Sequence, residues 1–144
     1  MEFNNLIEKL RFGLFKKANI PVVLWIIFIW GQSCMPPTVS EGESGAVFKF
    51  LQSLFPFLTH YLVRKLAHFT EYMILGGIVR FSHTAIHSAV FCEFIAFFDE
   101  TIQIFSGRGA AVADIWIDFM GALLGVAVIT AVKFIFRKKA GKVE

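Results

Sequence analysis

Charge is scarce in this chain. Asp, Glu, Lys and Arg make up 17% of its 144 residues, against 56% that are hydrophobic. A soluble domain of this length has too little interior to hide that much apolar surface, which excludes an ordinary water-soluble fold. Cysteine is scarce too. Cys34 and Cys92 lack any metal-ligand spacing. Set at different depths by the topology below, they do not pair, and they read as two small buried hydrophobes. Only four prolines occur, and three of them, Pro36, Pro37 and Pro56, fall where apolar runs stop. There is no low-complexity tract, no internal repeat and no soluble appendage. Only PPTVSEGESG has loop composition. The first apolar run, IPVVLWIIFIW, follows Lys16 and Lys17 as the core of a signal peptide would. No A-x-A-like cleavage pattern comes after it, so an uncleaved first span is expected.

What is abundant points to a bilayer. Eighteen residues are Phe and the mean hydropathy is +0.65. The net charge of +3 gathers at the two ends, as Lys9, Arg11, Lys16 and Lys17, then Lys133, Arg137, Lys138, Lys139 and Lys142. Flanking clusters of this kind are cytoplasmic anchors beside anionic lipid, and no nucleic-acid partner is expected.

The pattern predicts an all-α membrane protein, one domain over 1–144, built as a four-span helix bundle with both termini cytoplasmic. A basic amphipathic lead over 1–17 carries Leu6, Ile7, Leu10 and Leu14 at helical spacing. Spans are expected at about 18–35, 59–81, 84–105 and 112–136. AVFKFLQSLFPF, over 46–57, is too short to cross and reads as an interfacial or re-entrant helix ending near Pro56. Only SHT separates the second span from the third and SGRGA the third from the fourth, so these helices pack as antiparallel neighbours. With both ends inside, ten of the fourteen Lys and Arg residues lie on the inner side, as the positive-inside rule requires.

On that topology the ionisable residues converge. Arg64, His68 and Glu71 lie in the outer half of the second span, offset by four and three residues and so on one face. Asp99, Glu100 and Gln103 occupy the last two turns of the third span, Arg108 the outer turn, and Asp114 and Asp118 the first turns of the fourth. All reach the same depth, near the extracytoplasmic face. A charge near a helix centre costs about 2.5–3.5 kcal/mol on insertion scales, so these groups are expected to face one another. Asp99, Glu100, Asp114, Asp118 and Glu71 are available to Arg64, Lys65, Arg108 and a protonated His68. Tyr72, beside Glu71, is expected to donate to the site. Gly121 and Gly125, below Asp118, form a G-x-x-x-G packing seam. Glu93 lies about two turns deeper on the face of Glu100 and has no assigned role. Trp25, Trp30 and Trp116 read as packing or belt residues.

These residues carry a resemblance. RKxAHFxEYxxLG at 64–76, DExxQ at 99–103, GR at 107–108 and DxxxDxxGAxxG at 114–125 together resemble the VanZ-like family of small bacterial membrane proteins. The resemblance covers most of the chain. Asp118 departs from the Asn usual at that position, adding a negative charge, and Glu93 lies outside the pattern. The resemblance implies an envelope role and, through the founding member, a link to teicoplanin-type glycopeptide resistance. It implies no reaction.

Three readings follow. In the first, Arg64, Lys65, His68 and Arg108 bind the head group of an anionic lipid, such as an undecaprenyl-linked envelope precursor, while Glu71, Tyr72, Asp99, Glu100, Gln103, Asp114 and Asp118 hold those cations and contact sugar hydroxyls. In the second, His68, Glu71, Asp99 and Glu100 are acid–base candidates of an intramembrane enzyme acting on a lipid phosphate. No cofactor is required, although the carboxylate cluster has the oxygen donors that a divalent metal takes. In the third, the polar network only fixes helix registry.

Overall fold

The computed structural model describes residues 19–35, 48–107 and 112–140. These form five helices and no strand. The helices are α1 (Ile20–Ser33), α2 (48–54), α3 (His60–Ser82), α4 (Ala85–Phe105) and α5 (Val112–Ala140). The amphipathic lead over 1–17, Pro36 and Pro37, and Arg108 lie outside the described residues.

Local chemistry sets the ends. Pro21 sits in the first turn of α1, where its missing N–H costs nothing. α2 stops before Pro56, and Phe48 on it stacks on His60 at a ring separation of 3.4 Å. Thr59 caps α3 by accepting from the Leu62 amide at 3.2 Å, and Thr84 caps α4 by accepting from the His87 amide at 3.3 Å. The last carbonyls of α3 are taken by Lys133 of α5, whose Nζ donates to Arg80 O at 2.9 Å and Phe81 O at 2.8 Å. Gly107, at φ +74°, ends α4 in the left-handed region.

Successive long helices run antiparallel, so α1 and α4 point one way and α3 and α5 the other. His83 Nε2 lies 3.3 Å from Asn19 Oδ1, joining the start of α1 to the α3–α4 turn. At the other end Ser106 Oγ donates to Ser33 O at 2.9 Å, joining the ends of α4 and α1. Ser106 is therefore a structural tie. The core draws on α1 (Val22, Ile29), α3 (Tyr72, Leu75, Val79), α4 (Cys92, Ile95, Ala96) and α5 (Ala122). Cys34 and Cys92 are both free thiols, the first exposed and the second buried.

α3 and α5 pack backbone to backbone. A Cβ on Gly121 would strike the Phe69 carbonyl oxygen, and one on Gly125 the Met73 carbonyl oxygen. The expected seam on α5 meets a third glycine on α3, since a Cβ on Gly76 would strike the Ala122 carbonyl.

The outer surface is apolar. Phe94, Phe97 and Phe98 on α4, Leu24, Ile27 and Phe28 on α1, and Trp116 and Met120 on α5 are all exposed. Among the described residues, Val112–Lys138 is long and apolar enough to cross a membrane, and α1 is a shorter apolar helix. α1 has 14 residues, fewer than the span expected there, and α5 runs four residues past its expected end. α3 and α4 have 23 and 21 residues. Length is not what separates them from α5. They carry the polar residues described next.

Candidate functional site

The polar residues of three helices meet inside the bundle, near the end where α3 and α5 begin and α4 stops. From α3 comes Lys65, buried and ion-paired through Nζ with Asp114 Oδ1 of α5. One turn further, His68 Nδ1 lies 3.7 Å from Glu71 Oε2 and 4.0 Å from Asp99 Oδ2 of α4. Tyr72 is fully buried, and its hydroxyl has no hydrogen-bond partner among the described residues. It lies within the field of Asp99, Asp118 and Glu71.

From α4 come Asp99, Glu100 and Gln103, all buried. Gln103 Nε2 donates to Asp99 Oδ2 at 3.2 Å, which fixes the plane of that carboxylate from the next turn of the same helix. From α5 come Asp114 and Asp118, one turn apart. Asp118 is 1% exposed, and neither of its carboxylate oxygens has a hydrogen-bond partner among the described residues. One ligand atom each from His68, Asp99 and Asp118 lie within 4.8 Å of one another. Sequence spacing brought these three helices to one depth, and the side-chain distances show them in contact there.

The helical faces differ from the expectation at one point. The 64, 68, 71 spacing predicts Arg64 on one face with His68 and Glu71, yet Arg64 is exposed and Lys65 takes the inward position. Lys65, Tyr72 and Val79 recur every seven residues and all are buried, which is the spacing of a packing seam. Counting from Arg64 follows the neighbouring ridge.

Other polar groups stand apart from the cluster. Glu93 is half-buried and lines a shallow apolar groove of about 450 Å³ with Ala89, Val90, Phe94, Phe97 and Phe119. His83 and His87 lie at the opposite end, in the α3–α4 turn and the first turn of α4. Trp25 does more than fill space. Its Nε1 donates to the Glu71 carbonyl at 2.9 Å and so ties α1 to α3 at the level of the site. No sequence pattern distinguished it from the other two tryptophans.

Among the described residues, five carboxylates (Glu71, Asp99, Glu100, Asp114 and Asp118) thus share an interior with Lys65 and His68. Such an interior can hold a cation, pass a proton between His68 and its acidic neighbours, or order a polar head group at its rim.

An all-helical bundle with an apolar skin, a span-length helix and buried ionisable groups defines a small membrane-associated protein. The VanZ/LLP1 family profile matches residues 19–136, and the chain belongs to that family. Neither the curated proteins nor the solved structures include a significant match to it.

Proposed function

We propose that the chain crosses the membrane four times, with both termini cytoplasmic, and uses the polar end of the bundle to hold the anionic head group of a membrane amphiphile at the outer leaflet. The observation that carries this reading is the buried ionisable cluster itself. Groups this costly in a bilayer are kept where they serve a ligand or an ion. The alternating direction of α1, α3, α4 and α5 supports four crossings. Arg80, Lys133, Arg137 and Lys138 at the far end support the sidedness.

Arg64 is exposed, has no partner among the described residues, and directly precedes Lys65 of the Lys65–Asp114 pair. Its guanidinium can give a phosphate two parallel hydrogen bonds. Arg108, in the α4–α5 connection, is the second donor of this reading. The carboxylates below hold Lys65 in place and accept from hydroxyls of a sugar-bearing head group. On this reading the amphiphile is a polyprenyl-linked envelope precursor, and an effect on glycopeptide susceptibility is the consequence.

The test is retention of lipid by the purified protein in native mass spectrometry, with an anionic polyprenyl phosphate set against a zwitterionic lipid. The wild type is expected to prefer the anionic lipid. Arg64→Ala is expected to weaken retention about tenfold, as loss of a charge-assisted bond worth about 1.5 kcal/mol would. Equal retention of the two lipids, or an Arg64→Ala protein that binds like wild type, contradicts the reading.

A second reading rests on His68, whose Nδ1 stands between Glu71 and Asp99. This is the arrangement of a proton-transfer group in an enzyme acting on a lipid phosphate. It requires turnover of such a lipid in detergent, abolished by His68→Ala.

A further inference from the structure

The carboxylate of Asp118 sets a problem that the head-group reading does not solve. It sits in the bundle interior, 1% exposed, with both oxygens buried and without a hydrogen-bond partner among the described residues. The carboxylates of Asp99, Glu100, Asp114 and Glu71 surround it, with the His68 imidazole also close by. Lys65, the buried cation of the described residues, is engaged by Asp114. A carboxylate buried among other carboxylates is stabilised by a cation placed among them, which displaces its proton on binding.

We propose that His68, Asp99 and Asp118 bind a first-row divalent cation of the Mn2+ or Zn2+ class. Two independent observations carry this. The first is geometric. One donor atom from each of the three residues falls within 4.8 Å of the other two, although they come from three different helices. Donors on one such ion stand about 2.0–2.2 Å from it, so at most about 4.4 Å from each other. Small rotations of three side chains close the site. The second is the orphaned, nearly inaccessible Asp118 carboxylate aimed into that space.

The donor set selects the ion. An imidazole nitrogen with two carboxylates suits Mn2+, Fe2+ or Zn2+, whereas Ca2+ and Mg2+ favour all-oxygen sites. Gln103 belongs to the site at one remove. Its Nε2 holds Asp99 Oδ2 at 3.2 Å, the outer-shell contact that orients a ligating carboxylate. Three protein donors leave coordination positions open, and an ion so held can take a phosphate oxygen as a further ligand. The ion site does not depend on the head-group reading. It stands or falls on metal binding by the lipid-free protein.

The experiment uses the full chain in detergent micelles, stripped with chelator and titrated with Mn2+. Free Mn2+ is followed by electron paramagnetic resonance, and Zn2+ is added as competitor. One Mn2+ is expected to bind per chain, to be displaced by Zn2+, and to raise the melting temperature. Asp118→Asn, which keeps the side-chain size, is expected to weaken binding at least about 100-fold. Gln103→Ala is expected to weaken it about 10–100-fold, the usual loss when an outer-shell partner is removed. Glu93→Gln, which lies outside the cluster, is expected to bind as wild type. No saturable binding and no melting shift in the wild type overturns the proposal. So does Asp118→Asn binding with unchanged affinity, or a loss in Glu93→Gln equal to that in Asp118→Asn. Should Asp118→Asn fail to fold, the wild-type melting shift and Gln103→Ala decide.

Discussion

Replacing Lys65 with methionine lowers the stability of the folded protein by about 3–5 kcal/mol, because it leaves the buried Asp114 carboxylate without its counter-ion. Both side chains of the pair are close to 90% shielded, at 10% and 11% exposure, so water does little to soften the loss. The change is read from denaturant titrations in micelles, followed by the fluorescence of the three tryptophans. Removing both partners tests the cause. Lys65→Met combined with Asp114→Leu is expected to recover most of the stability, since replacing a buried ion pair by apolar side chains of similar volume is near neutral. A cost below about 1 kcal/mol for the single change would mark the pair as an ordinary solvent-screened surface bridge.

The second large effect lies at the crossing of α3 and α5. Gly125→Leu is expected to cost upward of about 3 kcal/mol, at or beyond the top of the range for overpacking. Any Cβ there meets the Met73 carbonyl, and the amide of Gly77 is next in line. Both are backbone, so neither can swing aside as the end of a flexible side chain would. The helices must part, and parting them moves α5, with Asp114 and Asp118, away from Lys65 and His68. Gly125→Leu is therefore expected to abolish site function together with stability. Gly31, where nothing lies within 4 Å of an added Cβ, is the control position and is expected to tolerate Ala with little effect.

Much of this arrangement is written plainly in the sequence. Apolar runs broken at Pro36, Pro56, SHT and SGRGA gave helix positions within a few residues of those observed, because proline and short polar breaks act locally on the backbone. The meeting of His68, Asp99 and Asp118 was legible for a different reason. Tight turns fix the antiparallel register of neighbouring helices, and register fixes depth.

What sequence spacing did not reveal depends on rotation and on partners. Arg64 and Lys65 are adjacent on α3, about 100° apart around the helix axis. Which one turns inward is decided by the face that α3 buries in the bundle, and that face runs through Tyr72, Leu75 and Val79. Gly76 was hidden for a similar reason. A glycine in a span reads as mere composition until the facing helix, with Ala122 against it, is known. The hydrogen bond from Trp25 to the Glu71 carbonyl joins residues 46 apart in the chain, and no periodicity within either helix encodes it.

The central claim is that α3 and α5 bring their ionisable residues together inside one end of the bundle. Cysteine cross-linking tests it most directly. With Cys34 and Cys92 replaced by alanine, Lys65→Cys and Asp114→Cys are introduced together and the protein is treated in native membranes with a short thiol-to-thiol cross-linker, because a Lys–Asp ion pair holds its Cα atoms farther apart than a disulfide need span. The account predicts rapid, near-complete cross-linking of this pair, and none for Lys65→Cys with Lys133→Cys, which lie at opposite ends of the bundle. Failure of the first pair to cross-link while the second does so would contradict it.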